Sequence, residues 1–224
     1  MSYLVAAIGD WNRALFEKNI KDLQGVWHFV STPEELNEQL GKGLQPRYIF
    51  FPHWRWIVPE EVLNQFECVC FHMTDVPYGR GGSPLQNLIV RGHKNTVLTA
   101  LRMEASLDTG PVYFKKPLSL NGAASEIYVR AGSLTWEIIK ELVQNEPSPQ
   151  AQVGESVVFK RRTPEQSEIG QGLSNEQLYD YIRMLDAPGY PKAYLNTRSY
   201  HLEFENAKLE SDEVVATVRI KIKR

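Results

Sequence analysis

The sequence predicts an α/β fold: a Rossmann-like, mostly parallel sheet flanked by helices, with a small C-terminal helix and an antiparallel β extension. Three observations predict it. Short apolar runs alternate with helical patterns through the first half of the chain, the rhythm of βαβ units with right-handed crossovers. Ile127, Ala131, Leu134, Ile138 and Leu142 repeat at helical spacing and mark the clearest helix. Beyond Pro188-Gly189-Tyr190-Pro191, residues 193–222 alternate as two or three strands, too short for a full second domain.

The elements follow in order. Tyr3 to Ile8 reads as a buried strand ending at Gly9-Asp10, and Asn12 to Ile20 fits a short helix. No G-x-G-x-x-G accompanies this opening, so no dinucleotide site is inferred. Val26 to Val30 is a second strand. Ser31-Thr32-Pro33-Glu34-Glu35 starts a helix, with a capping hydroxyl, Pro in the first turn and acids at the positive end; Gly41 stops it. Tyr48 to Phe51 and Glu67 to Phe71 are the third and fourth strands. Leu85 to Val90 is helical, and Thr96 to Met103 and Val112 to Pro117 are strands. Glu146-Pro147 ends the long helix, Gln152 to Lys160 is strand-like, and residues 161–172 form a polar linker. Ser174 caps a last helix reaching Leu185. A core of residues 1–172 and an appendage of residues 173–224 are expected.

Bulk numbers narrow the function. The 224 residues are 42% apolar and 23% charged, ordinary for a globular protein. A net charge of −2 points to no polyanion-binding surface. No stretch is long and apolar enough for a membrane helix, and Met1 to Ile8 lacks the basic start of a signal peptide. The only cysteines, Cys68 and Cys70, cannot make a disulfide framework, so a reducing, cytoplasmic setting is expected.

Chemistry concentrates in two places. Phe71-His72-Met73-Thr74-Asp75-Val76-Pro77-Tyr78-Gly79-Arg80-Gly81-Gly82-Ser83-Pro84 puts a histidine at the end of an apolar strand, followed by a glycine-rich, arginine-bearing loop. Leu107-Asp108-Thr109-Gly110-Pro111 supplies a carboxylate on a tight turn. A histidine that titrates near neutrality and a carboxylate that orients it are a minimum kit for proton transfer. Ligands of open α/β sheets bind beyond the carboxyl ends of strands, where His72 is expected. Cys68, Cys70 and His72 share one strand face, but their ~7 Å steps oppose a common tetrahedral ion, so no metal is expected.

These residues resemble the 10-formyltetrahydrofolate-dependent formyltransferases. That family's pattern is Asn-x-His-x-Ser-x-Leu-Pro-x-x-Arg-Gly-x-x-Pro followed by Asp-x-Gly-Pro. His72, Pro77, Arg80, Gly81, Pro84, Asp108, Gly110 and Pro111 match it. The resemblance implies 10-formyltetrahydrofolate as cosubstrate, His72 and Asp108 as catalytic residues, and a cofactor wall built from Pro77, Arg80, Gly81 and Gly82. His72 would stabilise an oxyanion or carry a proton. Cys70 departs from the family, standing where an Asn holds the formyl oxygen; His53, in Phe50-Phe51-Pro52-His53-Trp54-Arg55-Trp56, is the candidate to compensate.

The short, mixed-charge tail resembles the sugar N-formyltransferase branch. It implies a nucleotide-linked amino sugar as acceptor, as in a pseudaminic-acid-type pathway, with Tyr190 and Tyr194 near the nucleotide and no nucleic-acid or membrane partner. The alternatives are another amine, that of glycinamide ribonucleotide or methionyl-tRNA, or a folate- or nucleotide-binding protein that has lost its chemistry. A homodimer is left open.

Overall fold

The computed structural model describes residues 1–223, in two compact units. One comprises residues 1–80, 97–117 and 130–157; the other comprises residues 81–96, 118–129 and 158 onward. In chain order the elements are β1 (Ser2–Ala7), α1 (Asp10–Asn19), β2 (Val26–Val30), α2 (Pro33–Gly41), β3 (Tyr48–His53), α3 (Glu60–Gln65), β4 (Cys68–His72), β5 (Tyr78–Gly81), α4 (Pro84–Val90), β6 (Asn95–Arg102), β7 (Val112–Ser119), α5 (Ala124–Asn145), β8 (Val157–Phe159), α6 (Asn175–Arg183), β9 (Ala193–Asn196), β10 (Tyr200–Leu209) and β11 (Val214–Ile222).

The main sheet has the order β2-β1-β3-β4-β6-β7. β1 runs parallel to β2 and β3, and β3 runs parallel to β4, whereas β6 is antiparallel to β4. The central strands are buried on both faces, which is why they read as continuous apolar runs. On one face Leu4, Ala6, Ile49, Phe51 and Cys68 pack with Val30, Leu36, Val58 and Val62. On the other, Val5, Phe50 and Val69 are sealed from solvent.

Helix starts follow their side chains. Thr32 caps α2, its hydroxyl accepting from Glu35 N at 3.2 Å. α3 was not expected, although Pro59-Glu60-Glu61 is a helix start of the same chemistry; its six residues are too few to show a period. The strand expected over Gln152 to Lys160 shrinks to β8, because Gly154 turns at φ +128° and Gln152 spends its side chain elsewhere. The expected polar linker is ordered: Thr163 caps a 3-10 turn over Pro164–Ser167, Ser167 and Ile169 are buried, and Ile169 N donates to Tyr194 O at 2.8 Å. Among the described residues no helix is long and apolar enough to cross a membrane.

In the second unit β11, β10 and β9 form an antiparallel sheet. α6 opens with a capping box: Ser174 Oγ accepts from Gln177 N at 3.2 Å, and Gln177 Oε1 accepts from Ser174 N at 2.9 Å. The helix ends on a buried guanidinium. Arg183 Nε donates to Asp180 Oδ1 at 2.6 Å, and its Nη1 donates to the carbonyls of Leu120 and Gly122 at 2.6 and 2.7 Å.

Two losses are expected in urea denaturation followed by circular dichroism. Ser174→Ala removes one cap bond and costs about 1 kcal/mol. Arg183→Ala leaves the Asp180 carboxylate with Lys94 alone and takes the donor from the Leu120 and Gly122 carbonyls, and costs roughly 3 kcal/mol. An Arg183→Ala protein as stable as the parent would show that this ion pair does not organise the unit.

Candidate active site

His72 is the last residue of β4 and is buried to 8% exposure. Its Nε2 lies 2.8 Å from Gly79 O, and its Nδ1 lies 3.5 Å from Asp108 Oδ1. Both ring nitrogens therefore face acceptors. A neutral imidazole can donate to only one of them; an imidazolium donates to both. At 3.5 Å the His72–Asp108 pair is longer than a charge-assisted hydrogen bond.

The loop after β4 is pinned at several points. Gly79, at φ +78°, turns its carbonyl inward to accept from His72 and from Thr74 Oγ1 at 3.2 Å. Thr99 Oγ1 on β6 donates to Thr74 O at 2.7 Å, and Lys115 Nζ on β7 donates to Val76 O at 2.7 Å. Gly81 and Gly82 belong to the second unit. A Cβ on Gly81 would come within 2.5 Å of Phe159 O, and one on Gly82 within 2.5 Å of Arg161 Cβ. Their glycines answer to the close approach of residues 159–161.

Asp108 arrives by an indirect route. β6 is antiparallel to β4, with Arg102 opposite Val69, so β6 ends at the amino end of β4. The segment after Arg102 doubles back along the strand to bring Asp108 to His72. Two features hold it. Gly110 abuts the Arg102 carbonyl so closely that no Cβ fits there. Gln152 Nε2 donates to Asp108 O and Gly110 O, both at 2.8 Å, while Gln152 Oε1 accepts from Arg80 Nε at 3.0 Å and Nη2 at 2.7 Å. Arg80, expected in the cofactor wall, thus directs its guanidinium to Gln152 and to Ser156 Oγ at 3.3 Å. Sequence reasoning missed Gln152; a lone glutamine in a strand-like stretch carries no signal.

Cys70 shares the face of His72. Burial pushes its thiol well above the usual range, and the nearby Asp108 carboxylate pushes it the same way. Burial likewise raises Cys68 to about 12. Both thiols are therefore protonated at neutral pH. Among the described residues no three His, Cys, Asp or Glu come together as a metal-ligand set. His53 ends β3, its ring 5.9 Å from that of Trp11; burial, and then the charge of Arg55, lower its pKa.

Tyr190 and Tyr194 lie in the second unit. Tyr190 stacks on Tyr128, whose hydroxyl donates to its own at 2.8 Å; Tyr194 packs against the His201 ring at 4.9 Å. A cleft of about 450 Å³ opens at the amino end of β4 among Phe66, Glu67, Arg102 and Glu104, away from the end that carries His72.

This constellation, a histidine and a carboxylate on a clamped turn at the mouth of an α/β sheet, can perform proton transfer. Residues 164–221 match the family described as methionyl-tRNA formyltransferase, C-terminal domain. A solved methionyl-tRNA formyltransferase from Clostridium thermocellum is 43% identical over the whole of both chains, with a TM-score of 0.95. The chain belongs to the methionyl-tRNA formyltransferase-like formyltransferase family. A methionyl-tRNA formyltransferase of Clostridium perfringens (strain SM101 / Type A) is 27% identical over 88% of this chain and 65% of its own length, so the chain spans just under two thirds of that relative. A sugar N-formyltransferase from a Shewanella species is 12% identical, covering 88% of this chain and 93% of that one, with a TM-score of 0.68, a likeness of fold alone.

These matches overturn the expected nucleotide-linked amino sugar, the pseudaminic-type pathway, and the absence of a nucleic-acid partner. The tail read as too short for the tRNA branch is itself what matches that branch's C-terminal domain. The charge argument failed because a net −2 averages over the chain and says nothing about a local contact.

Gln152→Leu removes four hydrogen bonds, the two to the Asp108 turn worth about 1 kcal/mol each. Amide hydrogen exchange in residues 104–111 is then expected to accelerate on the order of tenfold or more. Unchanged exchange there would mean that the turn holds itself.

Proposed function

We propose that this chain transfers the formyl group of 10-formyltetrahydrofolate to the α-amino group of methionyl-tRNA. Membership of the family makes it a formyltransferase by descent, with the formylated folate as cosubstrate. The observation that carries the reading to this chain is His72 held between Gly79 O and Asp108 at the end of β4.

The amine attacks the formyl carbon and a tetrahedral oxyanion forms. The C–N10 bond to the folate then breaks, and the amine nitrogen gives up a proton as N10 takes one. An imidazolium at His72 places positive charge beside the oxyanion. Asp108 orients that ring, and is placed to accept the proton of the attacking amine, directly or through water. Pro77 and the main chain of the following loop form the wall of the site. Cys70 contributes a weak S–H donor where the formyltransferase pattern has an Asn, and His53, its pKa lowered by burial, is the compensating group on the adjacent strand.

The test is an assay with 10-formyltetrahydrofolate and, in turn, methionyl-tRNA, glycinamide ribonucleotide and a panel of nucleotide-linked amino sugars, following tetrahydrofolate release. Release with methionyl-tRNA alone is expected; release only with an amino sugar would overturn the proposal. His72→Asn and Asp108→Ala are each expected to lower turnover by at least ~10² with the fold intact. A variant that keeps near-parental turnover removes its residue from the mechanism.

A further inference from the structure

We propose that Arg80 is a positioning residue for the reaction, holding Asp108 opposite His72 by way of Gln152; this rests on the function proposed above. All four residues lie in the same unit. The formyltransferase pattern implies a place for Arg80 in the cofactor wall, but its guanidinium is engaged within the chain. Nε and Nη2 donate to Gln152 Oε1 at 3.0 and 2.7 Å, and Nη1 donates to Ser156 Oγ at 3.3 Å. Val157 N donates to Pro77 O at 3.1 Å, which keeps Arg80 alongside the stretch that carries both partners.

This pairing decides which way the Gln152 amide faces. An amide has an accepting end and a donating end of nearly equal size, and half a turn of the side chain exchanges them. Asp108 O and Gly110 O can be bound only by the donating end. Two guanidinium donors commit Oε1 to Arg80, and Nε2 is left for the two carbonyls, at 2.8 Å each. Among the described residues, Arg80 makes none of its hydrogen bonds to the turn itself. Its hold on Asp108 passes through Gln152.

Arg80 also follows Gly79, whose carbonyl lies 2.8 Å from His72 Nε2. Consecutive residues therefore set both catalytic groups: one orients the imidazole, and the next fixes the turn that carries the carboxylate. The 3.5 Å separation of His72 and Asp108 is referred to a single point of the loop. Proton transfer is sensitive to such mutual geometry.

The experiment has two arms. In the first, steady-state kinetics with 10-formyltetrahydrofolate and methionyl-tRNA are compared for the parent, Arg80→Met, Gln152→Leu, Gln152→Glu, and a variant carrying both of the first two changes. Arg80→Met and Gln152→Leu are each expected to lower kcat about tenfold, with the KM for methionyl-tRNA within about twofold. The doubly changed protein is expected to be no slower than the slower single variant, because the two residues act along one path. Gln152→Glu keeps an acceptor for Arg80 but has no donor for the carbonyls, and its kcat is expected to fall as far as that of Gln152→Leu. Losses that multiply to about a hundredfold in the doubly changed protein overturn the proposal. So does a parental kcat in Gln152→Glu, or an Arg80→Met protein whose loss lies in the folate KM with kcat unchanged. In the second arm, amide hydrogen exchange over residues 104–111 is followed without substrates. Arg80→Met is expected to accelerate it as much as Gln152→Leu does; parental exchange overturns the relay. This arm needs no turnover, so it decides the role of Arg80 even if methionyl-tRNA proves not to be formylated. Should Arg80→Met misfold, Gln152→Glu carries both arms, with accelerated exchange supporting the proposal and parental exchange overturning it.

Discussion

A single carboxamide holds the site together. Gln152 stands between Arg80, which follows the histidine loop, and the main chain of the Asp108 turn, and it satisfies both ends at once. Its oxygen can only accept and its nitrogen can only donate, so the direction of the side chain is fixed by its partners. The turn needs such a grip. Asp108 sits at φ +56°, a conformation that non-glycine residues rarely adopt, and Gly110 leaves no room to relax against Arg102. Without the clamp, the carboxylate facing His72 would hang from a long returning loop.

The clamp acts on carbonyls and leaves the side chain of Asp108 to its own contacts. Position of the turn and chemistry at its tip therefore reside in different residues. The same separation holds at the histidine. Thr99 and Lys115 fix the loop by its main chain, while Gly79 presents the carbonyl that orients the imidazole.

Much of this was legible in the sequence. The strand and helix pattern gave the sheet, because central strands buried on both faces are apolar runs and the helices carry ordinary caps. His72 was legible because a histidine ending such a run, before glycine and proline, has few structural reasons to be there. Two things were hidden. The antiparallel entry of β6 sends Asp108 to His72 by a return path; strand direction depends on pairing, which no local pattern encodes. Gln152 was hidden because its importance lies wholly in partners 72 and 44 residues away. Gly81 and Gly82 show the converse: they looked like a ligand-approach loop, yet each is crowded by the chain's own backbone.

The protonated thiols have a kinetic consequence. A cysteine acts as a nucleophile through its thiolate, and burial keeps Cys68 and Cys70 in the thiol form. The two thiols thus provide no way station for the travelling carbon. Donor and acceptor have to be on the protein together, and initial-rate plots against either substrate should intersect rather than run parallel.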